Sequence, residues 1–112
     1  MDKTLVTRST GMLLLKLIEN EDMYGYQMIE ELSRRSNDAF QFQEGTLYPI
    51  LHGLEKGKYL SGYQQQAPSG RMRKYYRLTR KGRELLAEKK AEWASFHRGV
   101  ADVLSGGANA LA

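Results

Sequence analysis

The chain has 112 residues, 41% of them apolar, with no cysteine and a formal net charge of +4 at pH 7. That length holds one domain with at most one appended element, burying roughly 65% of the unfolded surface, and the composition excludes a disordered chain, a disulfide scaffold and a thiolate zinc site. The best apolar run, MLLLKLI at 12–18, is far short of the ~20 residues of a membrane span, and no signal-peptide pattern opens the sequence, so a cytoplasmic protein without a membrane partner is expected.

In chain order, Leu5, Met12, Leu14, Leu15 and Ile18 fall at mostly helical spacing and predict a first helix over 5–19, closed by the turn Asn20-Glu21-Asp22. Residues 24–35 place Tyr26, Ile29 and Leu32 at i, i+3 and i+6, with Met28 flanking. This second, amphipathic helix starts near Gly25 and is stopped by the turn formers of 36–39. A third helix follows, on which Leu47, Ile50, Leu51 and Leu54 form an apolar face at i, i+3, i+4 and i+7. Gly57 is expected as its glycine C-cap. Pro49 lacks an N–H and crowds the carbonyl of Gly45, which only the first turns of a helix absorb.

Residues 59–66 and 73–78 favour extended structure and flank turn chemistry at 67–72, a two-stranded hairpin with a basic tip. Thr79 suits an N-cap, and residues 80–104 predict one helix about 37 Å long. The expected organisation is a winged helix-turn-helix over 1–79, a dimerisation helix over 80–105 and a disordered tail over 106–112. The fold class is mostly α with a small β-hairpin.

With its apolar face buried, the third helix presents Thr46, Tyr48, Pro49, His52, Gly53 and Lys56. In a helix-turn-helix the second of the paired helices enters the major groove. Thr46 and His52 can bond to a base edge or a phosphate, and Tyr48 can donate to phosphate or pack on a thymine methyl. Gly45 and Gly53 let the backbone approach closely, and Tyr26 and Gln43 complete the DNA-facing candidates on this side.

The window RMRKYYRLTRKGR (71–83) holds seven of the chain's seventeen cations and no acid, the footprint of a polyanion. Arg71, Arg73 and Lys74 follow Pro68-Ser69-Gly70 and suit a wing reaching along a phosphate backbone. Arg80, Lys81 and Arg83 sit in the first turn of the last helix, against its macrodipole at roughly 0.3–1 kcal/mol each. A bound anion would offset this, as would solvent or pairing with Glu84 or Glu88.

On the last helix Leu86, Trp93 and Val100 are seven apart, Phe96 and Val103 fall between, and Lys89 interrupts. This seam of about three heptads predicts a two-fold homodimer. Trp93 is then either a dimer-core anchor or one wall of an aromatic pocket between subunits for a planar small-molecule effector, with Val6, Ser9, Thr10, Phe96 and His97 as further lining. Two histidines without metal-ligand spacing, and no phosphate loop or carboxylate dyad, argue against an enzyme and against a metal or cofactor. The alternative to DNA binding is a protein-interaction module docking its basic hairpin on an acidic partner.

YGYQMIEEL (24–32), EGTLYPILHGLEKGKYL (44–60) and GRMRKYYRLTRKG (70–82) resemble, in order and spacing, the PadR family of bacterial transcriptional regulators, from about Leu13 to Leu85. The resemblance implies a winged-helix dimer, interleaved through its first and last helices, that binds palindromic operators, usually as a repressor. The short C-terminal region is similar to the subfamily with a single terminal helix. Some of its members control multidrug transporters or phenolic-acid detoxification and bind aromatic effectors between subunits; carried over, that role falls on Trp93. Two departures stand out. Gly53 occupies a position where the family has a basic residue, and Glu44 opens the third helix with an acid that either turns away from DNA or reads a cytosine amino group.

Overall fold

The computed structural model describes residues 3–106, with side chains from Ser9 onward. Its elements are α1 (Lys3–Leu17), β1 (Met23–Tyr24), α2 (Gly25–Arg35), α3 (Glu44–Lys56), β2 (Leu60–Gln66), β3 (Met72–Leu78) and α4 (Arg80–Leu104). Leu14 and Leu15 of α1, with Ile18 just after it, meet Met28 and Leu32 of α2, Leu47 and Leu51 of α3 and Leu86 of α4 in one buried cluster. Each buried leucine contributes roughly 1.5–3 kcal/mol. The expected tail, 107–112, lies outside the described residues.

Helix α1 begins and ends two residues earlier than its apolar spacing predicts. The chain turns after Leu17, where the Glu19 N–H donates to the carbonyl of Lys16 at 3.2 Å, yet Ile18 still packs into the core from the turn. On α2 the expected face is rotated. Tyr26 is 49% exposed while Met28, read as flanking, is fully buried.

The wing is not a lone hairpin. β1 adds a third antiparallel strand in the order β1-β3-β2, pairing Met23 with Tyr76 and Tyr24 with Tyr75. β2 and β3 pair from Leu60 with Leu78 to Gln66 with Met72. Strand alternation turns Met23, Leu60, Tyr76 and Leu78 to the core and Tyr24, Tyr63 and Tyr75 to the other side. There Tyr75 stacks on Tyr63 at 5.9 Å and meets the edge of Tyr24 at 5.3 Å.

Helix α3 ends as predicted at Gly57, but Gly57 is not the left-handed residue. Its φ is −77°, and Lys58 takes φ 65° instead. The Tyr59 N–H donates to the carbonyl of Leu54 at 2.9 Å and the Lys58 N–H to that of Glu55 at 2.9 Å, a Schellman closure with lysine at C′. Gly57 is needed for space, since a Cβ there would lie 2.6 Å from the Tyr59 ring.

Thr79 caps α4, accepting from the Gly82 N–H at 3.0 Å and donating to the carbonyl of Lys58 at 2.7 Å. Gly82 lets α4 close on the turn after α3, where a Cβ would stand 1.8 Å from the carbonyl oxygen of Tyr59. The cations that oppose the α4 dipole find other helix ends. Lys81 donates to the carbonyl of Gly57 at 2.8 Å and lies 4.6 Å from the Tyr59 ring centroid. Arg83 reaches the carbonyl of Glu19, past the end of α1, at 3.5 Å, and Arg80 stands 3.7 Å from Glu84. Carbonyl ends of helices are negative, so two of the three cations are satisfied inside the protomer.

Leu86 is 1% exposed in that same protomer core. It therefore offers no surface to a second chain, which corrects its place in the expected dimer seam. From Ala91 to Leu104 every residue of α4 is exposed. The protomer measures 64 × 29 × 22 Å with a radius of gyration of 16.7 Å, against ~13 Å for a globule of about this size.

Candidate nucleic-acid interface

The turn before α3 places Gln43 as its N-cap, and Leu47 and Leu51 fix the helix by full burial. The opposite face then points outward as a set, with Gln43, Thr46, Tyr48, Pro49, His52 and Lys56 all exposed. Four glycines elsewhere are closely packed: a Cβ at Gly25, Gly57, Gly62 or Gly82 would come within 3 Å of another atom, of backbone at Gly82 and of side chains at the other three. At Gly45 and Gly53 a Cβ would meet nothing within 4 Å. Among the described residues no contact requires glycine at either position, as none does at Gly11 or Gly99.

Tyr48 does not simply project. Its ring folds back over the start of α2, where a Cβ on Gly25 would lie 2.7 Å from the phenol oxygen. Burial, and then the neighbouring Glu44, push the phenol above its ordinary pKa while Arg73 pulls the other way, so it stays a neutral donor. Tyr24, the N-cap of α2, makes no side-chain cap bond, which leaves the first backbone N–H groups of that helix without a side-chain partner at the cap. Arg73 stacks on the Tyr24 ring at 5.4 Å, and its buried Nε has no hydrogen-bond partner among the described residues. Tyr48 and Arg73 therefore both lie beside the start of α2, Tyr48 over Gly25 and Arg73 against the Tyr24 ring.

At the wing tip Arg71 is exposed. The turn closes through Ala67 N–H to the Arg71 carbonyl at 2.8 Å and Gly70 N–H to the Ala67 carbonyl at 2.8 Å, and Gly70 takes φ 90°, which glycine tolerates without strain. Lys74 is not free in the same way. It donates to Glu55 Oε1 at 2.7 Å and lies 5.5 Å from the Tyr76 ring centroid. Met72, at 62% exposure, escaped sequence reasoning; period-2 alternation in β3, with Tyr76 and Leu78 inward, puts it on the core face but beyond the core's edge.

The candidate effector residues are less coherent. Trp93 and His97 stack at 4.8 Å with an 8° interplanar angle, and Trp93 and Phe96 are 50% and 66% exposed. Ser9 is partly buried, and the side chain of Val6 lies outside the described residues. Thr10 is 0% exposed, so it belongs to the protomer interior and lines no opening there. Two clefts of ≈ 550 and ≈ 490 Å³ lie elsewhere, beside Tyr24, Tyr63 and Tyr75 and beside Ile29 and Phe42. Among the described residues no cluster of His, Cys, Asp and Glu could hold a metal ion, and no helix is long and apolar enough to cross a membrane.

Residues 14–88 match the PadR-like family of transcriptional regulators. Over 82 residues, 73% of this chain and 75% of the relative, the sequence is 42% identical to an uncharacterized protein of Lysinibacillus sphaericus. Over 69 residues, 62% of this chain and 61% of the relative, it is 38% identical to the transcriptional regulator Rv3488 of Mycobacterium tuberculosis. The solved PadR-like transcriptional regulator BC4206 of Bacillus cereus matches with a TM-score of 0.81 at 29% identity, covering 91% of this chain and 97% of that one. This chain belongs to the PadR-like family of transcriptional regulators.

Proposed function

We propose that the protein represses transcription by binding a palindromic duplex operator as a homodimer, with α3 in the major groove and the wing on the flanking backbone. The observation that carries this reading is the outer face of α3, exposed along its length and built with glycines that no intrachain contact explains. Thr46, His52 and Lys56 face the bases or their phosphates, with Gln43 and Pro49 beside them. Tyr26 and Arg71 lie outward on α2 and the wing. Tyr48 and Arg73 are assigned to phosphates, since Tyr48 lies over Gly25 and Arg73 against Tyr24, at the start of α2. The exposed stripe of Trp93, Phe96, Val100, Val103 and Leu104 supports pairing of two chains through α4, and a planar aromatic effector would stack on Trp93 within that pairing.

Selection of bound fragments from random duplexes tests the reading. Two inverted half-sites about one helical turn, ~10 bp, apart are expected. Affinity should fall by orders of magnitude between ~50 and ~200 mM salt. Capture of an acidic protein at low salt, with no duplex binding even at ~50 mM, would instead favour the interaction-module alternative. For the effector, planar cationic or phenolic compounds should quench Trp93 fluorescence and release the operator; a broad panel without quenching counts against that part.

A further inference from the structure

We infer that Glu55 is a positioning residue that ties the wing to the reading helix and withholds Lys74 from the DNA backbone. This deepens the DNA-binding reading and rests on it. Glu55 stands in the last turn of α3. One carboxylate oxygen accepts from Lys74 on β3 at 2.7 Å, and the other accepts from the backbone N–H of Gly62 on β2 at 3.2 Å. A single side chain thus joins α3 to both strands of the wing. The pair packs directly against the backbone of β2, where a Cβ at Gly62 would lie 2.3 Å from Lys74 Cε and 2.7 Å from Glu55 Oε2. The Lys74 hydrogen bond holds Glu55 below its ordinary pKa, and the same bond raises Lys74.

Two consequences follow for DNA. The charge of Lys74, which its place in the wing would offer to a phosphate, is already matched by a carboxylate. The wing also keeps one angle to α3, so that it fits the backbone only where α3 fits its bases. Both side chains are partly open to water, at 43% and 29% exposure, so the link is a restraint that a mutation can release without disturbing the core.

A double-mutant cycle on the full chain tests this, with Lys74→Met, Glu55→Gln and both together, binding to the selected operator and to a random duplex across ~50 to ~200 mM salt. The amide of Glu55→Gln can still accept from Gly62, which preserves the fold while removing the charge. Lys74→Met alone should leave the random-duplex salt slope unchanged. Glu55→Gln should steepen it by about 0.9 per protomer, the increment for neutralising one more phosphate, raise random-duplex affinity several-fold and lower the operator-to-random ratio. Lys74→Met in the Glu55→Gln background should restore the wild-type slope. The cycle separates release of Lys74 from loss of a repulsive carboxylate, because repulsion acts equally with or without the lysine. A slope flattened by Lys74→Met alone, or unaltered by Glu55→Gln, overturns the inference while the DNA-binding reading stands. A wild-type chain that binds no duplex overturns both.

Discussion

Between Arg80 and Lys90, α4 is part of the protomer: Leu86 sits in its core, Gly82 presses on the backbone of Tyr59, and Lys81 closes on the end of α3. From Ala91 to Leu104 the same helix, with the same apolar repeat, is exposed throughout. The first half is held by contacts too close for any side chain at position 82. The second half carries aromatic and aliphatic surface that the protomer leaves uncovered. Protomer stability and assembly should therefore be separable along a single helix.

The largest effects should come from the inner half. Gly82→Ala drives a Cβ into a backbone carbonyl and should cost at least ~3 kcal/mol in urea unfolding. Leu86→Ala should cost about 2–5 kcal/mol, compared at equal protein concentration because assembly feeds into apparent stability. Retention of wild-type stability by either variant would break the division. On the outer half, Trp93→Ala with Phe96→Ala should weaken self-association at least 100-fold, or ~2.7 kcal/mol, as read by sedimentation. The far-ultraviolet spectrum and the folded core should persist.

The two faces of α3 sharpen the same contrast on a smaller scale. His52→Ala should leave the unfolding midpoint nearly unchanged yet lose about 1–3 kcal/mol of discrimination between operator and altered half-sites. Arg73→Ala should weaken all duplexes alike and flatten the salt slope by about 0.9 per protomer. If Arg73→Ala alters sequence preference instead, Arg73 is reading bases and its place against Tyr24 serves a different purpose.

What the sequence made legible is local periodicity. The buried and exposed faces of α3 follow from spacings of three and four residues, and the start of α4 from the capping hydroxyl of Thr79. What it hid is the destination of side chains. Lys81 answers to Gly57 across 24 positions, Arg83 to Glu19 across 64, and Lys74 to Glu55 across 19. Their charge was visible and their partners were not, so cations serving the protomer looked identical to cations awaiting phosphate. A heptad stripe has the same blindness: Leu86 and Phe96 share a pattern, and only packing assigns one inward and the other out. β1, two residues long, is too short to show a period at all.

The smallest expected effect bears on that charge assignment. Lys74 holds Glu55 below its ordinary pKa, so the pair stabilises the fold at pH above the unfolded carboxylate value, near ~4.3. That contribution is lost as pH falls through the folded pKa of Glu55. The stability difference between wild type and Glu55→Gln should be flat from neutral pH down to ~5 and shrink below it. Its size should stay under about 1 kcal/mol, because both groups are partly solvated. Glu31, held at about 2 by Arg34 and Arg35, titrates in both proteins and cancels from the difference. A difference independent of pH down to ~2 would mean that the wing is held by the Gly62 hydrogen bond alone, leaving the charge of Lys74 free for DNA.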